Sequence, residues 1–163
     1  MNQRRVELSV HTNMGRFYSV NTAEDYINAA RKDWQPAVAI TDMGCVQAFP
    51  KAFKCVEDYR GMKLIYGCEL YYGYAPYYDE ENPFYILAKN KTGLKELYQF
   101  ISTSDVFSLD EIDRKNLILG ISMWSNELVE KIMEGADDKE LGNIIKRFDY
   151  VLLHPIEYFS WYT

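Results

Sequence analysis

The sequence predicts an α/β fold: a barrel-like or open sheet of parallel strands with helices on the outside. Three features predict it. Short apolar runs bounded by breakers, such as Ala37 to Thr41 (AVAIT), mark strands buried on both faces. These runs alternate with amphipathic helical stretches in the order βαβαβ, followed by further β and α. The chain of 163 residues, 48% hydrophobic and 26% charged, is long enough for one domain with a substantial core. A single domain over residues 1–163 is expected, complete or as the N-terminal part of a longer one.

Arg5 to Val10 alternates and is expected as the first strand, followed by a loop from Asn13 to Asn21. Thr22 is placed to cap a helix, with Asp25 as its capping-box partner, and the helix runs to about Asp33. After Pro36 comes the AVAIT strand, with Asp42, Met43 and Gly44 at its C-terminal end. Val46 to Tyr59 suits a helix started or interrupted at Pro50 and stopped by Gly61. Lys63 to Tyr66 is the next strand, followed by Gly67, Cys68 and Glu69. The Tyr-rich stretch from Glu69 to Tyr78 reads as strand and loop, and Asp79 to Pro83 as a turn. Phe84 to Ala88 is a strand. Thr92 then caps a helix through Ser102, with Leu94, Leu97, Tyr98 and Ile101 inward. Ser104 to Lys115 is polar and irregular, and Asn116 to Ile121 is a strand. Ser125 caps one short helix and Asp137 another, the latter with Glu140 at the capping-box position. Tyr150 to Leu153 is the last strand.

The net charge of −6 disfavours autonomous nucleic-acid binding, which rests on Lys and Arg neutralising phosphates, so this domain alone is expected to bind DNA little. The three cysteines, Cys45, Cys55 and Cys68, lack zinc-knuckle spacing and are expected as reduced thiols in a cytoplasmic chain. The start MNQRRVELSV has no long apolar stretch after its arginines, so neither a signal peptide nor a membrane span is expected. The 14 tyrosines fit amphipathic rings at the edge of a core, or an aromatic contact surface.

In parallel α/β folds chemistry sits at the C-terminal ends of strands, which singles out Ser9, His11, Asp42, Met43, Glu69 and Met123. Oxygen and nitrogen donors at adjacent strand ends could bind a divalent ion. With only two histidines in the chain, one weak mononuclear site is the most these residues support. His11 and Asp42 also fit plain structural roles, as a hydrogen-bonded residue at a barrel mouth and as a loop anchor. No glycine-rich phosphate loop and no GxSxG elbow is present. Cys45 and Cys68 lie near strand ends with His11 as the sole candidate base, and a buried thiol is normally inert.

Several blocks, in order and covering nearly the whole chain, carry a resemblance. RVELSVHTNM (Arg5 to Met14), PAVAITDMGCVQAFPKAF (Pro36 to Phe53) and KLIYGCELY (Lys63 to Tyr71) resemble the PHP domain of bacterial replicative DNA polymerase III alpha subunits. The VQAFP string is closer to the PolC type. FYILAKNKTGLKELYQFIS (Phe84 to Ser102) and NLILGISMWSNEL (Asn116 to Leu128) resemble the next two blocks. The resemblance implies a PHP-like distorted (β/α) barrel, here incomplete, with a metal cluster at its mouth. It also implies an exonuclease insertion after the Glu69 block, where this chain has only Gly73 to Asn82.

Within that pattern His11 and Glu69 match metal-ligand positions, and Asp105 aligns with a later histidine. Ser9 replaces the first histidine of His-x-His, Tyr18 an aspartate, Met43 the histidine of an Asp-His pair, and Met123 a later Cys or His. These four are poor ligands for hard divalent cations. The resemblance therefore implies a degenerate, non-catalytic domain attached to a DNA polymerase chain, with a structural or interaction role in replication. Its partners would be polymerase modules or replisome subunits, with no required cofactor and at most weak zinc or manganese binding. Two alternatives stand beside it: a metal-dependent phosphoesterase or 3′-5′ exonuclease, and a stand-alone binding or regulatory module that uses the Tyr71 to Tyr78 segment.

Overall fold

The computed structural model describes residues 5–15, 19–59, 61–71, 82–102 and 109–153. Tyr18, Asp105, His154, the turn at 79–81 and most of the Tyr-rich segment lie outside the described residues.

Five strands form one sheet in the order β1 (Ala37–Ile40), β2 (Lys63–Tyr71), β3 (Pro83–Ala88), β4 (Leu117–Ser122) and β5 (Tyr150–Leu152). The sheet is curled into half of a barrel. The expected parallel pairing holds at its two sides, β1 with β2 and β4 with β5. In the middle β3 runs antiparallel to both neighbours, so the sheet is mixed. The β2–β3 connection, residues 72–82, is shorter than the dozen or so residues that a parallel crossover takes.

Strand β2 is longer than its sequence pattern suggested and has two partners in succession. Lys63 to Tyr66 pair with β1, and Gly67 to Tyr71 pair with β3. The partner changes at Gly67, where the chains crowd: a Cβ there would stand 2.8 Å from the Ile86 carbonyl oxygen and 2.9 Å from Thr41 Cγ2. Glu69, expected after a strand, therefore lies inside one.

Side chains alternate across the sheet. Cys68, Leu70, Phe84, Ile86, Leu119 and Ile121 join one hydrophobic cluster with residues from every helix. Those helices are α1 (Ala23–Lys32), α2 (Phe49–Glu57), α3 (Lys91–Ser102), α4 (Asn126–Met133) and α5 (Asp138–Ile145). They contribute Ile27, Phe49, Leu97, Leu128 and Ile144 to the cluster. Each fully buried Leu, Ile or Phe contributes about 1.5–3 kcal/mol of transfer free energy, which is how the helices hold this face. The intervening residues, Glu69, Tyr85 and Gly120 among them, belong to the other face.

Local signals at the helix ends are partly as expected. Thr22 and Asp25 form the complete capping box of α1. Asp137 caps α5 by accepting from Lys139 and Glu140 backbone N–H groups. For α3 the cap is Asn90, not Thr92: its Oδ1 accepts from Gly93 N at 3.0 Å, and the helix begins before Thr92. Tyr98 does not face inward but is 41% exposed, because Leu97 takes the buried position on that turn. Ser125 precedes α4, but its side chain makes no cap bond to the helix. The cap oxygen comes from Asn82, which accepts from Glu127 N at 2.9 Å and from Ser125 Oγ at 3.0 Å.

The expected first strand is the largest departure. Residues 5–10 carry a single parallel bridge, Glu7 to Val38, and no regular ladder. Ala39 N donates to Glu7 O at 2.8 Å and Thr41 N to Val10 O at 2.9 Å. Val10 N, however, donates to the Thr41 hydroxyl at 2.9 Å, so a side chain takes the place of a ladder carbonyl. In the polar stretch before β4, Leu109–Glu111 form a short 3₁₀ turn.

Gly67→Ala is expected to destabilise the chain by about 1–3 kcal/mol, because a backbone carbonyl must give way. Gly142→Ala, within α5 and with open space around its Cβ, is expected to stabilise it by about 0.5–1 kcal/mol through helix propensity. Urea unfolding of the two variants checks both signs.

Candidate functional site

The C-terminal end of β1 and the middle of β2 bring the first candidates together. His11 Nε2 lies 2.5 Å from Glu69 Oε2, across 58 positions of sequence. Both side chains are mostly buried, the histidine 23% and the glutamate 10% exposed. Of the strand-end residues that the sequence singled out, His11, Met43 and Glu69 come together here, while Ser9 does not.

Glu69 is held from both sides. Its N–H donates to Asp42 O at 3.3 Å, and its carbonyl accepts from Gly44 N at 2.9 Å. These bonds form the isolated bridge between Met43 and Glu69. On the other side Glu69 pairs with Tyr85, Tyr85 with Gly120, and Gly120 with Tyr150. One cross-sheet row therefore reads Met43, Glu69, Tyr85, Gly120, Tyr150. Neighbouring strands are about 4.8 Å apart, so residues in one row touch their neighbours.

The row is filled largely by apolar and aromatic groups. Met43 is 5% exposed, and its Sδ accepts from Tyr71 Oη at 3.2 Å. Tyr85 is 4% exposed, and its ring centroid lies 6.4 Å from that of His11. The Tyr150 ring covers Gly120 so closely that a Cβ there would be 2.1 Å from Tyr150 Cζ. Its phenol oxygen is buried with no hydrogen-bond partner among the described residues. Burial, with Tyr85 adding a smaller contribution, pushes the Tyr150 pKa up, so the phenol stays protonated.

Asp42 anchors the loop that carries His11. Its carboxylate, fully buried, accepts from Thr12 N at 2.5 Å and from Thr12 Oγ1 at 2.7 Å. This is the loop-holding role that its position suggested. The Cys68 thiol donates to Asp42 O at 3.1 Å. Burial pushes its pKa up to about 12, which leaves it without nucleophilic thiolate at neutral pH.

Other candidates are not gathered here. Ser9 lines a separate cleft of about 260 Å³ between the N-terminal segment and α1, with Glu7, Tyr26 and Asp33. Met123 is half-buried at the end of β4, where its N–H donates to Leu152 O at 3.0 Å. Tyr18 and Asp105 lie outside the described residues. Among the described residues, no group of three or more His, Cys, Asp or Glu is placed to hold a metal ion. The donors that converge among the described residues are one imidazole and one carboxylate, beside a thioether that suits soft metals, and these by themselves do not fit a cluster of hard divalent ions.

Sequence reasoning missed Tyr85, Tyr150 and Gly120. A signal existed in Gly120, since a glycine inside a strand often marks the close approach of another group. What approaches it is visible only in the pairing with β5.

Residues 7–155 match the family described as the PHP domain. Among curated proteins, the DNA polymerase III PolC-type of Streptococcus sanguinis (strain SK36) is 32% identical over 160 residues, 97% of this chain and 9% of that protein. The DNA polymerase III PolC-type of Caldanaerobacter subterraneus subsp. tengcongensis is 45% identical over 69 residues, 42% of this chain and 5% of that protein. The chain thus spans less than a tenth of the curated relatives it matches. Among solved structures, one described as a metal-dependent phosphoesterase from Bifidobacterium adolescentis is similar at 18% identity and a TM-score of 0.45, over 60% of this chain and 33% of that one.

Two outcomes follow from the local chemistry. Asp42→Ala leaves the buried Thr12 donors unpaired and is expected to cost about 2–5 kcal/mol in chemical denaturation. In the folded chain at pH 8, an alkylating reagent is expected to reach the half-buried Cys45 and Cys55 before the buried Cys68. Burial raises all three thiols, Cys68 by far the most, and mass spectrometry of the labelled peptides gives the order.

Proposed function

The chain belongs to the PHP domain family, and on that basis we propose that it is a non-catalytic PHP domain of a PolC-type DNA polymerase III chain, serving replication by packing against other parts of the polymerase or its partner subunits. The observation that carries this reading is the occupancy of the row around Glu69. Met43 lies buried on one side of Glu69 and Tyr85 on the other, the Tyr150 ring covers Gly120 farther along the row, and the Glu69 carboxylate is already engaged by His11.

Metal-assisted phosphoester hydrolysis needs ions that generate hydroxide and clamp phosphate oxygens. His11 and Glu69, with Asp105 as the third position suggested by the sequence, make an incomplete ligand set for that chemistry. The PolC-type relatives supply the replication context, at about 31–32% identity over 97% of this chain. Association with a polymerase core, or with replisome subunits, is the corresponding partner expectation. Co-purification of the tagged chain with such a core supports it, and recovery with unrelated partners alone counts against it.

The metal reading has its own experiment. In calorimetric titration the unmodified chain is expected to bind zinc and manganese weakly or not at all, and to leave a generic phosphoester unhydrolysed. The triple variant Ser9→His, Tyr18→Asp, Met43→His adds two imidazoles and a carboxylate to the ligand pattern, and is expected to gain measurable metal binding without full phosphatase activity. Replacing the buried Met43 is expected to lower stability by about 2–5 kcal/mol. Tight metal binding with turnover by the unmodified chain overturns the proposal in favour of a working phosphoesterase.

A further inference from the structure

The N-terminal ends of β1 and β2, opposite the His11–Glu69 end, border an open cleft of about 1110 Å³. It lies between the last turns of α1 and α2. Among the described residues, Arg31, Lys32 and Asp58 line it, together with the aromatic rings of Trp34 and Tyr59.

Trp34 is the unusual residue. Helix α1 ends with Gln35 N donating to Ala30 O at 2.9 Å and Trp34 N to Arg31 O at 3.0 Å, the bond pair of a Schellman motif. The first residue past the cap of that motif must adopt a left-handed conformation, and the position is usually taken by glycine or asparagine. Trp34 holds it at φ 55°, the one non-glycine residue with positive φ among those described. Nothing is gained inside the fold in return, because Trp34 is 78% exposed. Backbone strain spent on an exposed indole is a mark of a contact surface.

The cationic wall is preorganised as well. The Arg31 guanidinium lies over the Tyr59 ring, 4.1 Å from its centroid, and the Tyr59 hydroxyl donates to Asn28 Oδ1 at 3.0 Å. Stacking fixes the plane of the guanidinium and leaves its N–H edge for a carboxylate. Arg31 and Lys32 are both exposed, and neither forms an ion pair among the described residues.

We propose that this cleft docks an acidic segment of a partner protein, one that places an apolar or aromatic side chain on Trp34 and a carboxylate on Arg31 and Lys32. Charge complementarity selects that occupant. The chain as a whole, these cations included, carries a net charge of −6, which disfavours a long phosphate backbone, so the local cations favour a short acidic peptide that reaches only the cleft. The proposal does not depend on whether the His11–Glu69 end carries a metal.

The test uses the full chain and fluorescence anisotropy with three labelled probes: a peptide alternating Asp or Glu with Leu or Phe, its Asn and Gln counterpart, and oligo-dT. The acidic peptide is expected to bind with an affinity that falls with salt, and the amide peptide and oligo-dT to bind far more weakly. Arg31→Gln and Trp34→Gly are each expected to weaken the acidic peptide by roughly tenfold or more. Glycine is at home at positive φ, so Trp34→Gly is expected to melt no lower than the parent. Absence of acidic-peptide binding, equal binding of the amide peptide, or unchanged binding by both variants overturns the proposal. So does preferential oligo-dT binding. A lowered melting temperature for Trp34→Gly would assign the indole to stability instead, and would equally overturn it.

Discussion

The structure depends on the two-sided pairing of β2. Its first half pairs in parallel with β1, and its second half pairs antiparallel with β3. Between the two stretches stands Gly67, where a side chain would collide with the Ile86 carbonyl oxygen and with Thr41. Everything on either side follows from it. The parallel half brings the end of β1, with Asp42 and Met43, beside Glu69. The antiparallel half sets Tyr85 on the other flank of Glu69. Had β2 ended at Tyr66, as its apolar run suggests, Glu69 would sit on a loop with no fixed neighbours.

The same pairing explains why the candidate site is packed rather than open. A cross-sheet row repeats at the strand spacing, so Met43 and Tyr85 flank Glu69 directly, while Tyr150, three strands along, covers Gly120. The Glu69–His11 contact joins two largely buried polar groups and meets one another's hydrogen-bonding needs. The Tyr150 hydroxyl does not share in this. It has no hydrogen-bond partner among the described residues, and a buried hydroxyl left unpaired costs about 1–3 kcal/mol, offset here by the apolar area of its ring against Gly120.

The two ends of β1 and β2 have opposite character. At the C-terminal end, Asp42 and Thr12 lock a loop through buried hydrogen bonds, and the neighbouring side chains are withdrawn from water. At the N-terminal end, Trp34 and Arg31 are exposed, and the strain is stored in a helix terminus. The likeness to PolC-type polymerases extends over both ends, since it runs through nearly the whole chain.

Much of this was legible in the sequence because it is local. The Thr22–Asp25 box, the AVAI strand, the Asp137 cap and the apolar faces of the helices rest on residues within a few positions of one another. The pairing of His11 with Glu69 was legible too, through the expectation that strand ends converge and through the resemblance of the surrounding blocks. Other features were decided by the tertiary structure. The antiparallel placement of β3, the cap that Asn82 gives α4, and the row linking Met43, Glu69, Tyr85 and Tyr150 each join segments far apart in the chain. Alternation along a strand says which side chains share a face, but not which strand lies beside it. Even the first segment shows this: its pattern is that of a strand, yet the Thr41 hydroxyl takes the bond that a ladder carbonyl would have made. Sequence by itself determined the local propensities and the hydrophobic faces, while hydrogen-bond partners between distant segments existed only once the chain had closed on itself.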